Sequence, residues 1–537
     1  MDSRLAIDIG VLLLYFFIII FIGLWMGRKE DNLEDFALGG RRIPWWAVLA
    51  SIIAAETSAG TFFGAPGEGF ALRNFTYAQL AIGTIIARIL VSYIFIKPYY
   101  DYKVYSIYEY LTARFGVPTK NAASAVFLFT RVLASGARLY VAAIALVLAY
   151  EMITGTRPDP RQTLMIYIGA CVVIVLLTAI YTTLGGIKAV VWTDFIQASI
   201  MMGSALVALG LLYSSIPGGW SEIVERHGGF GVSDFFTTGL DSELSGWAKW
   251  KAMFKIEYTI FAGFIGSTFV TMATHGTDQD MVQRMLTAPD VRRSRRSLIL
   301  SGLADIPIVF TFLSIGLLLW TYYQANPDPT LPKSPNETFC HFILYEMPVG
   351  LRGLLIAGIF ATAMGSLSTA LNALATSFTR DWYQSYINRN ATQQQSLRAV
   401  RVATVGFSVL MIIVASFTSY IVVIHPSVRI IPIVLGIYGY TYGPVLGIFL
   451  VGMFTSRHGN NMGNIIAMII GFVAVALVSD LPNAIAGIIG GPGSILYYPP
   501  NWLPIAEFPW WIFFGTIVTF FVALLFRTNR MDLPPES

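Results

Sequence analysis

The sequence predicts an all-α membrane protein with about thirteen transmembrane helices, and three observations carry that reading. Only 12% of its 537 residues are charged while 55% are hydrophobic, about half the charge of a soluble domain. Apolar windows long enough to cross a bilayer as helix recur from one end of the chain to the other. Lysines and arginines gather in alternate connections between those windows, the asymmetry expected of cytoplasmic loops.

The windows cover 5–27, 44–72, 75–98, 121–152, 163–183, 188–213, 252–274, 297–323, 350–380, 400–422, 428–454, 462–481 and 508–527. The first is apolar from Gly10 to Met26 and lacks a small-residue cleavage site, so it reads as a retained helix rather than a signal peptide. With the N-terminus outside, 21 of the 35 basic residues fall on the cytoplasmic side, among them Arg28, Lys29 and the cluster Arg292, Arg293, Arg295 and Arg296. The C-terminus is then cytoplasmic. Trp45, Trp46, Trp510 and Trp511 sit at predicted span ends, where aromatic belts anchor helices. The connections 214–249 and 482–507 read either as short helices capping an outer vestibule or as plain connectors.

Several function classes drop out. The basic residues sit in short loops rather than on one face, which excludes nucleic acid as a partner. Cys171 in a span and Cys340 in a loop share no metal-ligand spacing and cannot build a disulfide framework. No Ser/His/Asp, paired-carboxylate or metal arrangement appears, so an enzyme is not predicted. Nor is an obligate protein partner implied.

Chemistry concentrates in a few spans. The second contains Ala54-Ala55-Glu56-Thr57-Ser58-Ala59-Gly60-Thr61 and continues through Gly64-Ala65-Pro66-Gly67. A charge in hydrocarbon costs roughly 2.5–3.5 kcal/mol on insertion scales, so a span carrying one usually lines a cavity. Gly and Pro also weaken the helix and release carbonyls that a coupling ion can cover. Small residues permit close packing as well, but packing does not explain Glu56. This points to a carrier rather than a scaffold.

In the ninth span Thr362, Ser366 and Thr369 recur at i, i+4 and i+7 on one face, with Gly365 on it and Ser368 one step aside. A hard cation wants several oxygen ligands, and such a face supplies them. Equally, the hydroxyls could satisfy their own helix or join helices together. Asp194, one to two turns inside the sixth span, could reach cytoplasmic water or guide a cation inward. Arg88, Arg131 and Arg138 lie within spans, and Glu56 is a possible partner for one of them. Arg138, among Ser135, Gly136 and Tyr140, suits a carboxylate-bearing solute through a bidentate contact.

From about Asp35 to Arg457 the chain resembles the sodium:solute symporter family, the relatives of the sodium–glucose cotransporters. The marks are Asp35-Phe36-Ala37-Leu38-Gly39-Gly40-Arg41-Arg42 with Pro44-Trp45-Trp46, and Gly185-Gly186 through Asp194. Gly276-Thr277-Asp278-Gln279-Asp280-Met281-Val282-Gln283-Arg284 and Gly365-Ser366 to Asn372 complete the set. The resemblance implies a LeuT-type 5+5 inverted repeat of helices 2–6 and 7–11, with helices 1, 12 and 13 peripheral. Helices 2 and 7 would be discontinuous, near Ala54–Gly60 and Gly263–Gly266. It implies one transporter domain over 1–537: first helix and cytoplasmic loop 1–43, first repeat 44–213, outer loop 214–249, second repeat 250–454. Residues 455–537 would hold two peripheral helices and a short cytoplasmic tail.

The resemblance further implies sodium (Na+) as the coupling ion. Its main site would use the carbonyls of Ala54, Thr57 and Thr362 with the Ser366 hydroxyl. Gly365 stands where the family often has a serine. A second sodium site would use Asp194, Ser368 and Thr369. On the solute side Thr61 replaces a glutamine of the sugar-transporting members, Ala81 a glutamate, and Thr274-His275 a Tyr-Trp pair, which argues against a galactose-like substrate. Tyr438 and Tyr442 of helix 11 would line the cavity and outer gate, with Glu56, Thr61, Arg138, Thr274 and His275 as further candidates. The function so implied is sodium-coupled import of a small polar organic solute by alternating access. That solute would be a carboxylate-bearing metabolite or sugar derivative, carried across a plasma membrane, namely a bacterial inner membrane. Proton coupling through Glu56 or Asp194 is one competing reading. A transporter-like sensor is another, although only about ten residues follow the last span, too few for the soluble domain such proteins append.

Overall fold

The computed structural model describes residues 3–27, 32–424, 430–491 and 494–528. Arg28 and Lys29, which the orientation argument used, lie outside the described residues, as do 529–537. Among the described residues helix dominates, and the β pairing is one isolated antiparallel bridge, His458 to Arg527.

The predicted windows fall largely on helices, and further short helices lie in the predicted connections. Among these helices are α1 (Ser3–Met26), α2 (Leu33–Leu38), α3 (Trp45–Glu56), α4 (Ala59–Leu72) and α5 (Leu80–Ile94). Next come α6 (Val117–Thr154), α7 (Pro160–Ser214), α8 (Ser267–Gly276) and α9 (Val291–Ala325). The last are α10 (Pro335–Tyr345), α11 (Leu351–Ser377), α12 (Gln393–Ile424), α13 (Ile430–Phe454), α14 (Asn461–Val478) and α15 (Phe508–Leu524). Among the described residues nine helices are long and apolar enough to cross a membrane, ten with α3 and α4 taken as one bent span.

Two predicted windows, 163–183 and 188–213, run together as α7, 55 residues in all. A straight helix of that length would measure about 80 Å, far beyond the ~30 Å hydrocarbon core. Gly186 resolves this with non-helical angles, φ 51 and ψ −152. A side chain there would strike Phe36 of α2, whose carbonyl oxygen lies 2.6 Å from the position of a Cβ. The interruption predicted at Gly263–Gly266 takes another form: Ala262–Gly266 widens into a π turn and the helix continues as α8. Cys340 lies within α10 rather than in a loop.

The chain forms two compact units, Met1–Ala78 with Arg131–Phe235 and Gln283–Ile431, and Gln79–Thr130 with Phe236–Val282 and Pro432–Ser537. In the first, α7 packs against α1, α3, α11 and α12, while α4 packs on α9 and α10. The quoted sequence marks brace this unit: Lys188 pairs with Asp35 at 3.2 Å, and Gln283 Nε2 donates to Ala37 O and Asn372 Oδ1, each at 2.6 Å. Helix α1, implied to be peripheral, is tied in closely. Asp8 accepts from Gly350 N (2.7 Å), Gly353 N (3.0 Å) and Arg352 Nε (2.7 Å), so a residue of α1 caps the start of α11.

In the second unit α5 packs against the π turn and α8, and α14 against α15. Its core gathers Met253, Ala262, Val478, Ala506 and Trp510. Trp510 is thus a core residue, 2% exposed, and not the interfacial anchor its place at a span end suggested. Trp511 stacks on Tyr440 with ring centroids 5.3 Å apart. In the first unit Trp46 does remain largely exposed.

Candidate functional site

The site begins where α3 stops. Thr57 (φ −79, ψ 79) and Ser58 (φ −78, ψ 170) leave helical space, and α4 resumes at Ala59 bent by 61°. In an unbroken helix the Ser58 and Thr61 N–H groups would cover the carbonyls of Ala54 and Thr57. Here Ser58 N donates to Glu56 O and Thr61 N to Ser58 O, both at 2.9 Å. The Ala54 and Thr57 carbonyls therefore lose their i+4 donors, and these are the two carbonyls of the second span expected to hold sodium. Because Ala54 and Thr57 are both buried, water cannot readily compensate for that loss.

Helix α11 lies beside the break. A Cβ placed on Gly365 would have three nearest neighbours within 4 Å, all of them oxygens. They are Gln197 Oε1 at 2.9 Å, Asp194 Oδ1 at 3.5 Å and the Ala54 carbonyl at 3.8 Å. Gly365 thus lies near one carbonyl expected in the first sodium site, that of Ala54, and near the Asp194 carboxylate expected in the second. On the same helix Thr362 Oγ1 donates to Ile359 O (2.7 Å), Ser366 Oγ to Ala363 O (3.1 Å), Ser368 Oγ to Gly365 O (3.0 Å) and Thr369 Oγ1 to Gly365 O (3.1 Å). Each hydroxyl donates to its own helix, as membrane hydroxyls commonly do. Donation uses the hydrogen and leaves oxygen lone pairs for a cation. Thr362 sits in unbroken helix, so its carbonyl offers only the second lone pair.

Asp194 is fully buried, which rules out the reading in which it reaches cytoplasmic water. Its Oδ2 accepts from Ser51 Oγ at 2.6 Å and lies 3.6 Å from Arg284 Nη2, while Arg284 Nε donates to Ser51 Oγ at 3.0 Å. Its Oδ1 makes no hydrogen bond, nor does Gln197 Oε1 one turn further along α7. Sequence reading missed Ser51, Arg284 and Gln197. Arg284, the last residue of the mark that begins at Gly276, is as buried as Asp194. The three-residue spacing of Asp194 and Gln197, which puts both on one helix face, was the available signal.

The solute-side candidates divide between the units. In the first, Glu56 and Arg138 are half-buried and already engaged by surrounding protein, and Thr61 Oγ1 makes a long 3.5 Å contact to the Glu56 carbonyl. In the second, Thr274 Oγ1 lies 3.0 Å from His275 Nδ1, and Tyr438 and Tyr442 meet edge to face at 4.9 Å. The Tyr442 hydroxyl donates to Asp278 Oδ2 at 2.7 Å, just past the end of α8.

The sequence profile of the sodium:solute symporter family matches residues 36–471. The chain belongs to that family. It is 30% identical, over 91% of its own length and 93% of the relative's, to the "Sodium/sialic acid symporter SiaT" of Proteus mirabilis (strain HI4320). It is 28% identical to the "Sodium/sialic acid symporter NanT" of Aliivibrio fischeri (strain ATCC 700601 / ES114) over 87% of each chain. The rabbit (Oryctolagus cuniculus) "Sodium/glucose cotransporter 1" matches at 25% identity over 88% of this chain and 71% of its own. Among solved structures, a Na+-coupled sialic acid symporter in a substrate-bound outward-open state superposes with a TM-score of 0.77 at 25% identity, covering 97% of both chains. This symporter is therefore a multi-pass membrane protein that moves a small solute together with sodium, and it is a transporter rather than an enzyme.

Proposed function

We propose that this symporter imports a carboxylate-bearing sugar derivative of the sialic-acid type, driven by two sodium ions. One observation carries the ion half: the Ala54 and Thr57 carbonyls, stripped of their i+4 donors, with Ala54 facing α11 at Gly365. The main sodium site is then the carbonyls of Ala54, Thr57 and Thr362 with the Ser366 hydroxyl, beside Gly365. Asp194, Ser368 and Thr369 form the second site, from Asp194's unbonded Oδ1 and two hydroxyls one turn along α11. The solute half rests on Arg138, whose guanidinium can hold a carboxylate bidentately, and on the sialic acid symporters among the relatives. Thr61 and His275 replace the residues expected for a neutral hexose.

Energetics favour two ions for an anionic solute. At −100 mV each sodium contributes about 2.3 kcal/mol, and a tenfold gradient adds about 1.4 kcal/mol. Moving a monoanion inward costs about 2.3 kcal/mol. One ion then leaves roughly 1.4 kcal/mol, only tenfold accumulation, whereas two leave roughly 5.1 kcal/mol, several thousand-fold. The basic-residue bias supports an outer N-terminus and a cytoplasmic C-terminus, and bacterial relatives support an inner membrane. Counterflow in proteoliposomes, with sodium replaced by choline, tests the reading. Uptake of N-acetylneuraminate that needs sodium is expected. Uptake unchanged in choline overturns the coupling, and sodium-driven uptake of neutral hexoses with none of carboxylated sugars overturns the solute class.

A further inference from the structure

In the gap at Gly365 three oxygens face one another without a donor among them. Asp194 Oδ1 and Gln197 Oε1 are both buried and make no hydrogen bond, and the Ala54 carbonyl has lost its helical donor. Acceptors brought together in a buried site repel one another and are costly to desolvate unless a hydrogen-bond donor or a positive charge sits among them. The Arg284 guanidinium approaches the opposite oxygen of Asp194, with Nη2 3.6 Å from Oδ2. Gln197 is the member of this trio that neither sodium site assigned above includes.

What aims Gln197 is equally specific. An amide could turn either end toward Gly365. Here Nε2 donates to the Tyr15 hydroxyl at 3.4 Å, and Tyr15 in turn points its hydroxyl at Met364 Sδ, 3.8 Å away. Tyr15 belongs to α1 and is buried. With the nitrogen held by Tyr15, the oxygen faces the gap. The fit is steric as well: Gln197 Oε1 lies 2.9 Å from where a Cβ at 365 would stand, tighter than ordinary contact. The glutamine oxygen thus occupies space that a side chain at 365 would need.

We propose that Gln197 Oε1 is a sodium ligand that takes the place of the hydroxyl Gly365 lacks, and that Tyr15 is the positioning residue that keeps this oxygen turned toward the ion. The inference rests on the sodium pocket proposed above. It also gives α1 a part in ion binding rather than a purely peripheral place.

The test measures sodium binding to purified full-length protein without solute, through sodium-dependent thermal stabilisation and 22Na+ binding. Gln197→Met keeps the volume and removes the oxygen, and should raise the sodium midpoint about tenfold or more, while Tyr15→Phe should raise it roughly three- to tenfold. The sodium-free melting temperature of Tyr15→Phe reports whether packing alone has changed. Gly365→Ser supplies the decisive sign: alone it crowds Gln197 and should weaken sodium binding, but in a Gln197→Ala background it should restore it, a coupling a structural role would not produce. Ser366→Ala separates the two levels of the argument. If Ser366→Ala loses sodium stabilisation while Gln197→Met keeps the wild-type midpoint, the pocket stands and the Gln197 assignment falls. If neither shifts, the pocket itself is wrong. A Tyr15→Phe midpoint equal to wild type overturns the positioning role.

Discussion

The first unit's proposed ion pocket and the second unit's solute-side candidates, Thr274, His275, Tyr438 and Tyr442, are both rich in hydroxyls, yet they treat their polar atoms differently. Around Gly365 the oxygens converge and several lack donors: Asp194 Oδ1, Gln197 Oε1 and the Ala54 carbonyl. In the second unit two hydroxyls meet protein partners, Tyr442 bonding Asp278 and Thr274 lying 3.0 Å from His275 Nδ1. Buried polar groups are normally satisfied, so the unanswered oxygens at Gly365 are what the sodium proposal rests on. The Tyr442–Asp278 bond instead ties α13 to the residues that follow α8. Composition alone does not separate the two cases; the direction of each hydrogen bond does.

The largest expected effect breaks the ion side of this contrast. Arg284→Met removes the buried cation 3.6 Å from Asp194 Oδ2 and leaves the carboxylate without its charge partner. Losing one member of a buried pair costs about 3–5 kcal/mol, so the variant should melt far lower in sodium-free buffer. Sodium should recover part of that loss, because an ion at Oδ1 supplies the missing charge. Melting curves with sodium and with choline check it, and recovery in neither would remove Asp194 from the ion site. Next in size is Arg138→Met. A charge-assisted hydrogen bond to a carboxylate is worth about 1.5–3 kcal/mol, so affinity for a carboxylated sugar should fall roughly 10- to 150-fold. Sodium-dependent stabilisation should stay intact. Isothermal titration of solute at saturating sodium measures the first and thermal shift the second.

How far the sequence made this readable differs between backbone and side chains. The break at Thr57–Ser58 followed from Glu56, Gly60 and Pro66 in an apolar span, since local composition decides whether a membrane helix can hold. The face of Thr362, Ser366 and Thr369 followed from helical spacing. Arg284 and Gln197 did not, because their meaning depends on partners far away in sequence: Ser51 and Asp194 for the first, Tyr15 and Gly365 for the second. Trp510 misled for a related reason. A tryptophan at a span end looks the same in sequence whether it meets lipid headgroups or the packed residues Met253 and Ala262. The merging of two windows into α7 was hidden too, since Gly186 turns the chain by its own angles and no loop residues announce a boundary.

Smaller is the effect of Ser366→Ala. Its hydroxyl donates within α11 at 3.1 Å, so stability should hardly change. The ion loses one neutral oxygen ligand, and the sodium concentration for half-maximal uptake should rise about tenfold, a change near 1.4 kcal/mol. Solute KM at saturating sodium should hold. A normal sodium response would dissolve the assignment of the hydroxyl face and leave only the carbonyls.

The smallest expected effect on transport, none at all, tests the other side of the contrast. Tyr442→Phe deletes one hydroxyl and keeps the ring that meets Tyr438 at 4.9 Å. Asp278 Oδ2 then loses its 2.7 Å donor, which should cost about 1.5 kcal/mol of stability or somewhat more for a bond to a carboxylate. If the cluster is internal bracing, solute KM and the sodium midpoint both stay where they were, and only the melting temperature falls. A rise in solute KM at unchanged melting temperature would mean the hydroxyl leaves Asp278 to meet the solute during the transport cycle. The second unit's satisfied hydrogen bonds would then be one resting arrangement of a binding surface, and the distinction between a pocket of unanswered oxygens and a brace of answered ones would hold for the ion alone.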